Sequence, residues 1–542
     1  MNQKTATQAP TGSTAGPQFD AIVIGSGIGG LAFAGIMAKL RGWRVLVLER
    51  HFKIGGLTHT FARPGGWSWD VGLHYVGDMG EGMMGRRLFD FISNRGVTWN
   101  PMPDVYDVFT YPGLRIGARK GEANYRKVLK DAFPDEAANI DKYFRDLKSA
   151  QGWIARYSMA MALPPLLGRA VRAVNGLSSG LPLSVTKRYL EMRFRDPRLR
   201  AVVASQWGDY GLPPGESAFV THAMIASHYL KGAWYPSGGS SEIAKAIGVV
   251  IHAAGGELLP SHEVTRILLE GDRAVGVEVT IRRGREEARK EFQAPVVVSD
   301  AGAWNTFARM LPSSALPFRD ELKLPPNGFE AVELFLGLNG DPREIGFRGE
   351  NHWIFSSIDH DEMYAQRDEL MEGRAGMVYL SFPSLKDPRA KGHTAEIIAP
   401  ISYKILQAYR DEPWRRRSAG YETAKERITQ TLLDVIENHR PGFRRLVEYA
   451  ELGTPLTFEH FTAAPSGAIY GYPGTPDKYR KSWLGVGTPI RNLYLTGSDA
   501  AFLGIVGALF SGVLTASRIL GPFGFFEIMR AASMGKKKTP EN

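Results

Sequence analysis

Three glycines, Gly25, Gly27 and Gly30, stand in a G-x-G-x-x-G spacing between the apolar run Ala21 to Ile24 and a helical stretch that continues to Leu40. A second apolar run, Val45 to Leu48, follows and ends on Glu49. Strand, tight turn, helix and strand within about 30 residues make a βαβ unit, which commits the chain to a parallel sheet and an α/β fold. Each glycine has a mechanical task. Gly25 permits the turn, Gly27 lets a pyrophosphate approach the backbone, and Gly30 lets the helix lie close on the strand. The phosphates of a dinucleotide are expected at the positive end of that helix, with Glu49 accepting hydrogen bonds from the ribose.

Redox work, if the chain does any, has to fall to a bound cofactor. None of the 542 residues is a cysteine, which excludes disulfides, thiolate catalysis, iron–sulfur clusters and cysteine-ligated zinc. The histidines show no metal-ligand spacing, so no metal is expected, and neither a Ser-His-Asp order nor H-E-x-x-H is present. Glycine is frequent, 61 of 542 against a usual share of about 7%, as a backbone with many close approaches requires.

The remaining pattern divides the chain. Val296 to Val298, followed by Ser299 and Asp300, predicts a buried parallel strand returning to the first sheet, and Leu493 to Leu495 another. Ile267 to Glu270 and Ala274 to Val279 flank Gly271, Asp272 and Arg273 as a hairpin. Val332 to Leu338, His352 to Phe355, Met377 to Phe382 and Glu396 to Ile401 predict a second, mostly antiparallel sheet. The section 79–230 reads as helical. Residues 19–78, 231–310 and 485–520 thus form a discontinuous Rossmann-like domain, interleaved with a substrate domain over 311–484. Residues 1–18 read as a disordered tail without the apolar run of a signal peptide. The uncharged stretch Ala500 to Ser517 has the length of a membrane span, but Gly504, Gly507 and Gly512 within it favour a buried helix.

FAD and NAD share the glycine fingerprint, and the flanking residues separate them. Arg50, Gly55, Gly56 and Thr58 follow Glu49, and near the other end come Thr496, Gly497, Ser498 and Asp499, then Leu503, Gly504, Ile505 and Val506. These two segments resemble the phytoene desaturase and amine oxidase superfamily of FAD-dependent oxidoreductases. The resemblance implies FAD held by Gly25, Gly27, Gly29, Gly30, Glu49, Arg50, Gly55, Gly56, Thr58, Gly497, Gly504, Ile505 and Val506. It further implies an adenine contact at Val264 and a ribityl contact at Asp499, for which the alternative is a cap on the following helix. Two departures stand out: Leu503 replaces the family's usual proline, and Ser498 separates the glycine from the acid.

Within that superfamily, Trp69, Asp70, Val71, Gly72, Leu73, His74, Tyr75 resembles the retinol saturase branch. So does Gly208, Asp209, Tyr210, Gly211, and so does the run His228, Tyr229, Leu230. The branch implies a flavoenzyme that acts on a carbon–carbon double bond of a retinoid- or carotenoid-like polyene, most simply as a saturase. Carotenoid desaturation or isomerisation is the alternative, and a non-redox prenyl-lipid carrier of the Rab escort type a remote one. A reductase needs a proton source, and His74, Tyr75, His228 and Tyr229 are the candidates within the branch segments, with His59 and His222 behind them. No second glycine fingerprint marks a nicotinamide site, so NAD(P)H, a ferredoxin and a quinone all stay open as redox partner.

The formal charge of +10 has a location. Nine basic residues between Arg156 and Arg200 face only Glu191 and Asp196, and Met159, Leu163, Leu166, Leu167 and Val171 lie among them. The tail 521–542 repeats the mixture with Phe523, Phe525 and Phe526 ahead of Lys536, Lys537 and Lys538. Basic and apolar groups interleaved in this way predict peripheral docking on an anionic membrane, on its inner, cytoplasmic face. No nucleic-acid motif accompanies the charge, so nucleic acid is not expected as a partner.

Overall fold

The computed structural model describes residues 18–283, 286–322 and 328–534. Residues 1–17 of the predicted tail 1–18, and Lys536, Lys537 and Lys538, lie outside the described residues.

The strands Ala21–Ile24 and Val45–Leu48 are buried at every position, as parallel strands covered on both faces must be. They lie side by side in a five-stranded parallel sheet whose order is Leu493–Leu495, Val297–Ser299, Ala21–Ile24, Val45–Leu48, Glu257–Leu259. The helix Ile28–Arg41 begins directly after the glycine turn, where Gly25 has φ +93°. It ends on Gly42, whose left-handed φ of 64° lets its N–H reach back to Ala38 O. Phe33, Ile36 and Met37 on this helix are completely buried, worth about 1.5–3 kcal/mol each.

The helix Gly504–Leu520 packs across Ile28–Arg41 at a glycine. A Cβ on Gly512 would lie 2.6 Å from Gly29 O and 2.7 Å from the Ala32 Cβ, so the two helices approach as closely as backbones can. Among the described residues no helix is long and apolar enough to cross a membrane.

A second, seven-stranded sheet has the order Val447–Gly453, Ala331–Leu338, His393–Pro400, Met377–Ser381, Asn351–Phe355, Val105–Tyr111, Leu114–Arg119. All its pairings are antiparallel except that of Asn351–Phe355 with Val105–Tyr111. The last two strands correct the reading of 79–230 as helical. That section also contains the short strand Trp99–Pro101, and Asp107 in the middle of a buried strand hides the apolar pattern. Its long helices are Ala137–Ala162 and Pro165–Gly176. The hairpin at Gly271 is present and gains a third strand, Glu286–Gln293, whose residues are nearly all exposed and therefore carry no apolar signal.

Candidate functional site

Two cavities meet at the front of the parallel sheet. The first, about 780 Å³, is lined by Gly25, Ser26, Gly27 and Ile28 at the glycine turn and by Glu49 and Arg50 beyond it. Gly55, Gly56 and Thr58 form a second lip, and Gly56 has φ +58° with Gly27 Cα only 2.9 Å from where a Cβ would stand. Val264, Gly497, Asp499, Gly504 and Ile505 complete the wall. Gly29 and Gly30 are not in the lining. They face the neighbouring backbone instead, Gly29 against Gly497 and Gly30 against Gly25 O.

The acidic residues are held by short local bonds. Ser26 donates from its N–H (2.9 Å) and hydroxyl (2.7 Å) to Glu49 Oε2, while the His51 N–H donates to Oε1 at 2.8 Å. Arg50 donates to His460 O at 2.7 Å and pairs with Glu263 at 3.3 Å. Asp499 accepts the N–H of Ala303 at 2.6 Å and that of Tyr472 at 2.5 Å, so it ties three segments of the wall together. It does not cap the following helix, whose N-cap is Leu503 and which has no side-chain cap at all. The positive end of Gly504–Leu520 is therefore left to whatever lies in the cavity.

A residue that sequence reasoning missed as a site member is Asp300. It sits in the glycine cradle with its carboxyl against the Gly27 and Gly30 backbone, and burial raises its pKa to about 8. A Cβ on Gly27 would stand 2.5 Å from Asp300 Oδ2, so only glycine fits between this carboxyl and the turn; the backbone N–H groups at the start of Ile28–Arg41 are what fits a pyrophosphate. The segments 414–425 and 457–471, which close the cavity and include Trp414 and Phe461, were also missed. They carry no motif.

The second cavity, about 650 Å³, shares Gly72, Tyr470, Gly504 and Ile505 with the first. Val506, expected at the cofactor, lines this second cavity instead. Met159, Met224, Phe502, Phe510 and Phe526 make most of its surface apolar, and His74, Tyr75, Asp209, His228 and Tyr229 lie in its wall.

The candidate acids differ sharply in what they can do. His228 accepts the Gly77 N–H on Nε2 at 2.9 Å, and burial lowers its pKa to about 4. His74 is lowered to about 3 by burial and by the Lys386 ammonium, and its Nδ1 lies 2.8 Å from Glu396 Oε2. Both imidazoles are therefore neutral and poor proton donors. His222 is a core residue bonded to the Tyr143 hydroxyl at 2.8 Å, and His59 Nδ1 meets Gly56 O at 2.6 Å in the first cavity. Tyr229 stacks on Tyr75 with ring centres 4.2 Å apart and an angle of 8°.

Behind His74 lies a buried polar cluster. One ring nitrogen of His74 and one carboxylate oxygen each of Glu333 and Glu396 lie within 4.8 Å of one another, a grouping that positions so far apart in sequence cannot reveal. Burial raises Glu396 to about 8 and Asp70 to about 6. Lys386 is the buried cation among them, donating to His74 O (2.8 Å), Asn351 Oδ1 (2.5 Å) and Ser381 Oγ (2.7 Å).

Comparison with known proteins agrees with this architecture. Residues 28–520 match the family model described as flavin containing amine oxidoreductase. The chain is 33% identical to an all-trans-retinol 13,14-reductase of Danio rerio over 96% of this chain and 89% of that one. It is 28% identical to prolycopene isomerase 2 of an Oncidium hybrid cultivar, covering 94% and 85% respectively. Among solved structures, an oxidoreductase of Methanosarcina mazei superposes with a TM-score of 0.59 at 16% identity, over 91% of this chain and 98% of that one, which speaks for the fold alone.

Proposed function

Because the chain belongs to the flavin containing amine oxidoreductase family, we propose that it is an FAD-dependent saturase of a carbon–carbon double bond in a retinoid- or carotenoid-like polyene. The observation that carries this reading is the apolar second cavity, which shares a wall with the glycine-lined first one at Gly504 and Ile505. FAD supplies hydride chemistry to carbon when bound. The protein supplies the rest. The glycine turn and the helix Ile28–Arg41 hold phosphates, Glu49 takes the ribose, and Asp499 holds the ribityl side of the wall. The uncapped end of Gly504–Leu520 favours negative charge at the shared wall. Met224, Phe502 and Phe510 exclude water from a greasy chain.

The test is a single turnover: protein reduced anaerobically with dithionite or with NAD(P)H is mixed with all-trans retinoids and carotenoids, and products are separated by chromatography. One fewer double bond is the expected product. A geometric isomer of unchanged mass assigns the chain to the isomerase alternative, and an added double bond with oxidised protein assigns it to desaturation.

Peripheral docking on an anionic membrane is part of the same proposal, and it rests on apolar contacts more than on charge. Several of the basic residues are engaged: Lys187 pairs with Asp361 at 3.2 Å, Arg193 with Asp146 at 2.6 Å and Arg198 with Asp196 at 2.8 Å. Leu166, Leu167, Val174 and Leu177 are exposed around Pro165–Gly176, Leu177 at 90%, and Phe523 and Phe526 are exposed near the mouth of the second cavity. Replacing Leu166, Leu167 and Phe526 by Gln is expected to lower partition onto anionic liposomes by about tenfold or more, as the loss of several buried methylenes requires. Neutralising Arg169 and Arg188 should make binding less salt-sensitive. Flotation unchanged by both sets removes the membrane from the proposal.

A further inference from the structure

The Tyr75 hydroxyl is asked to serve two carboxylates. Its oxygen lies 2.7 Å from Asp209 Oδ2 and 3.1 Å from Asp107 Oδ2. One hydroxyl has one proton to donate, so at the second contact the carboxyl must donate to Tyr75. The other partners decide which. Asp107 accepts Asn351 Nδ2 and Gln206 Nε2, each at 2.9 Å, and these donors hold it as an anion. Among the described residues Asp209 has only Tyr75 as a side-chain hydrogen-bond partner, and it faces the apolar second cavity. Asp209 therefore carries the proton. The same asymmetry appears in acidity: burial and the Asp107 charge push Asp209 well above the carboxylate range, whereas Asp107 rises to about 6.

We infer that Asp209 is the catalytic acid, delivering a proton to the polyene carbon, with Tyr75 as the residue that positions it; this rests on the saturase reading above. The π bond breaks and two C–H bonds form, one with hydride from the reduced flavin and one with the Asp209 proton. The flavin is oxidised by two electrons, and Asp209 is left as a carboxylate that solvent reprotonates. Tyr75 can turn its O–H from Asp107 to that new carboxylate, which stabilises it without moving either backbone. The titratable groups facing Asp209 are Tyr75, Tyr229, Tyr106, Tyr210, Tyr379 and Tyr470, with Asp107 and Lys386 the charged ones.

The test uses flavin-loaded protein reduced with dithionite and a polyene that the wild type saturates. An acid must hold its proton to give it, so the wild-type rate is expected to be flat through the ordinary carboxyl range and to fall only at more alkaline pH. Asp209→Asn is expected to lose about 10²–10⁴ in rate at unchanged flavin content. It should also lose that alkaline limb, together with the infrared carbonyl band of a protonated carboxyl group. Tyr75→Phe removes a donor to the anion and should move the limb to higher pH. A D209N rate within a few-fold of wild type, or one that keeps the limb, overturns the inference. If D209N does not load flavin, Asp209→Glu decides: a slower enzyme with the limb supports the assignment, and one without it sinks it. A wild type that saturates nothing refutes the functional reading instead and leaves the infrared band to decide whether Asp209 is protonated.

Discussion

Gly29→Ala is expected to give protein that purifies without the yellow colour of a flavoprotein. A methyl group at Gly29 would overlap the backbone nitrogen of Gly497 and stand 2.6 Å from its Cα. The two nearest atoms are backbone, and moving the Asp300 side chain, 2.8 Å away, would not relieve them, so either the glycine turn or the 496–499 segment must move. Overpacking of this kind costs about 1–3 kcal/mol. The two segments that would separate form opposite sides of the first cavity, so the cost falls on cofactor affinity, about 10–100-fold at 1.4 kcal/mol per decade. Flavin absorbance per mole of protein, and its recovery when FAD is added back, are the measurements. Gly176→Ala, where a Cβ meets nothing within 4 Å, is the matched control. Equal colour in both variants would show that the close approach at Gly29 does not shape the cofactor site.

Lys386→Met should destabilise the folded protein by about 3–5 kcal/mol, the usual result of removing one partner from a buried charged group. The ammonium satisfies three buried oxygens and sits among Glu396, Asp70 and Asp107, so its loss leaves acceptors unpaired and carboxylates uncompensated. Urea midpoints at neutral pH measure this directly. Glu396 has its pKa raised on folding to about 8, so its contribution is full in acid and is lost as pH rises through that value. The Lys386→Met deficit should therefore grow from mildly acid to mildly alkaline pH. Adding Glu396→Gln should recover part of it, because the amide has no charge to compensate. A deficit below about 1 kcal/mol would mean that the carboxyls are already protonated and that Lys386 acts only as a hydrogen-bond donor.

The parts of the molecule that sequence made legible are those whose signal is local. The turn at Gly25, the buried runs Ala21–Ile24 and Val45–Leu48 and the acid at Glu49 all fall within one stretch, and each residue type follows from a backbone constraint. Strands buried on both faces, such as Val297–Ser299 and Ala331–Leu338, announce themselves by composition. Val105–Tyr111 does not, because Asp107 interrupts it and its partner strand Asn351–Phe355 is remote in sequence. The proton donor was hidden for a different reason. Asp209 lies in the Gly208 to Gly211 segment that resembles the branch, but only the folded arrangement of Tyr75, Asp107, Asn351 and Gln206 singles it out as the carboxyl left with the proton. In the basic segment 156–200, sequence alone does not display which charges find acids elsewhere in the fold, as Lys187 does at Asp361 and Arg193 at Asp146.

The order of strands in the parallel sheet has a consequence for biosynthesis. Ala21–Ile24 leaves the ribosome well before its neighbour Val297–Ser299, and the sheet is closed only by Leu493–Leu495, just ahead of the helix that completes the wall of the first cavity. Loop closure over such separations is slow, and until it occurs the runs that will be buried stay accessible to chaperones and to other nascent chains. Cofactor capture thereby waits for the strand Leu493–Leu495 and the helix after it. A chain released early from the ribosome carries the whole glycine fingerprint and still has nothing to close over the flavin.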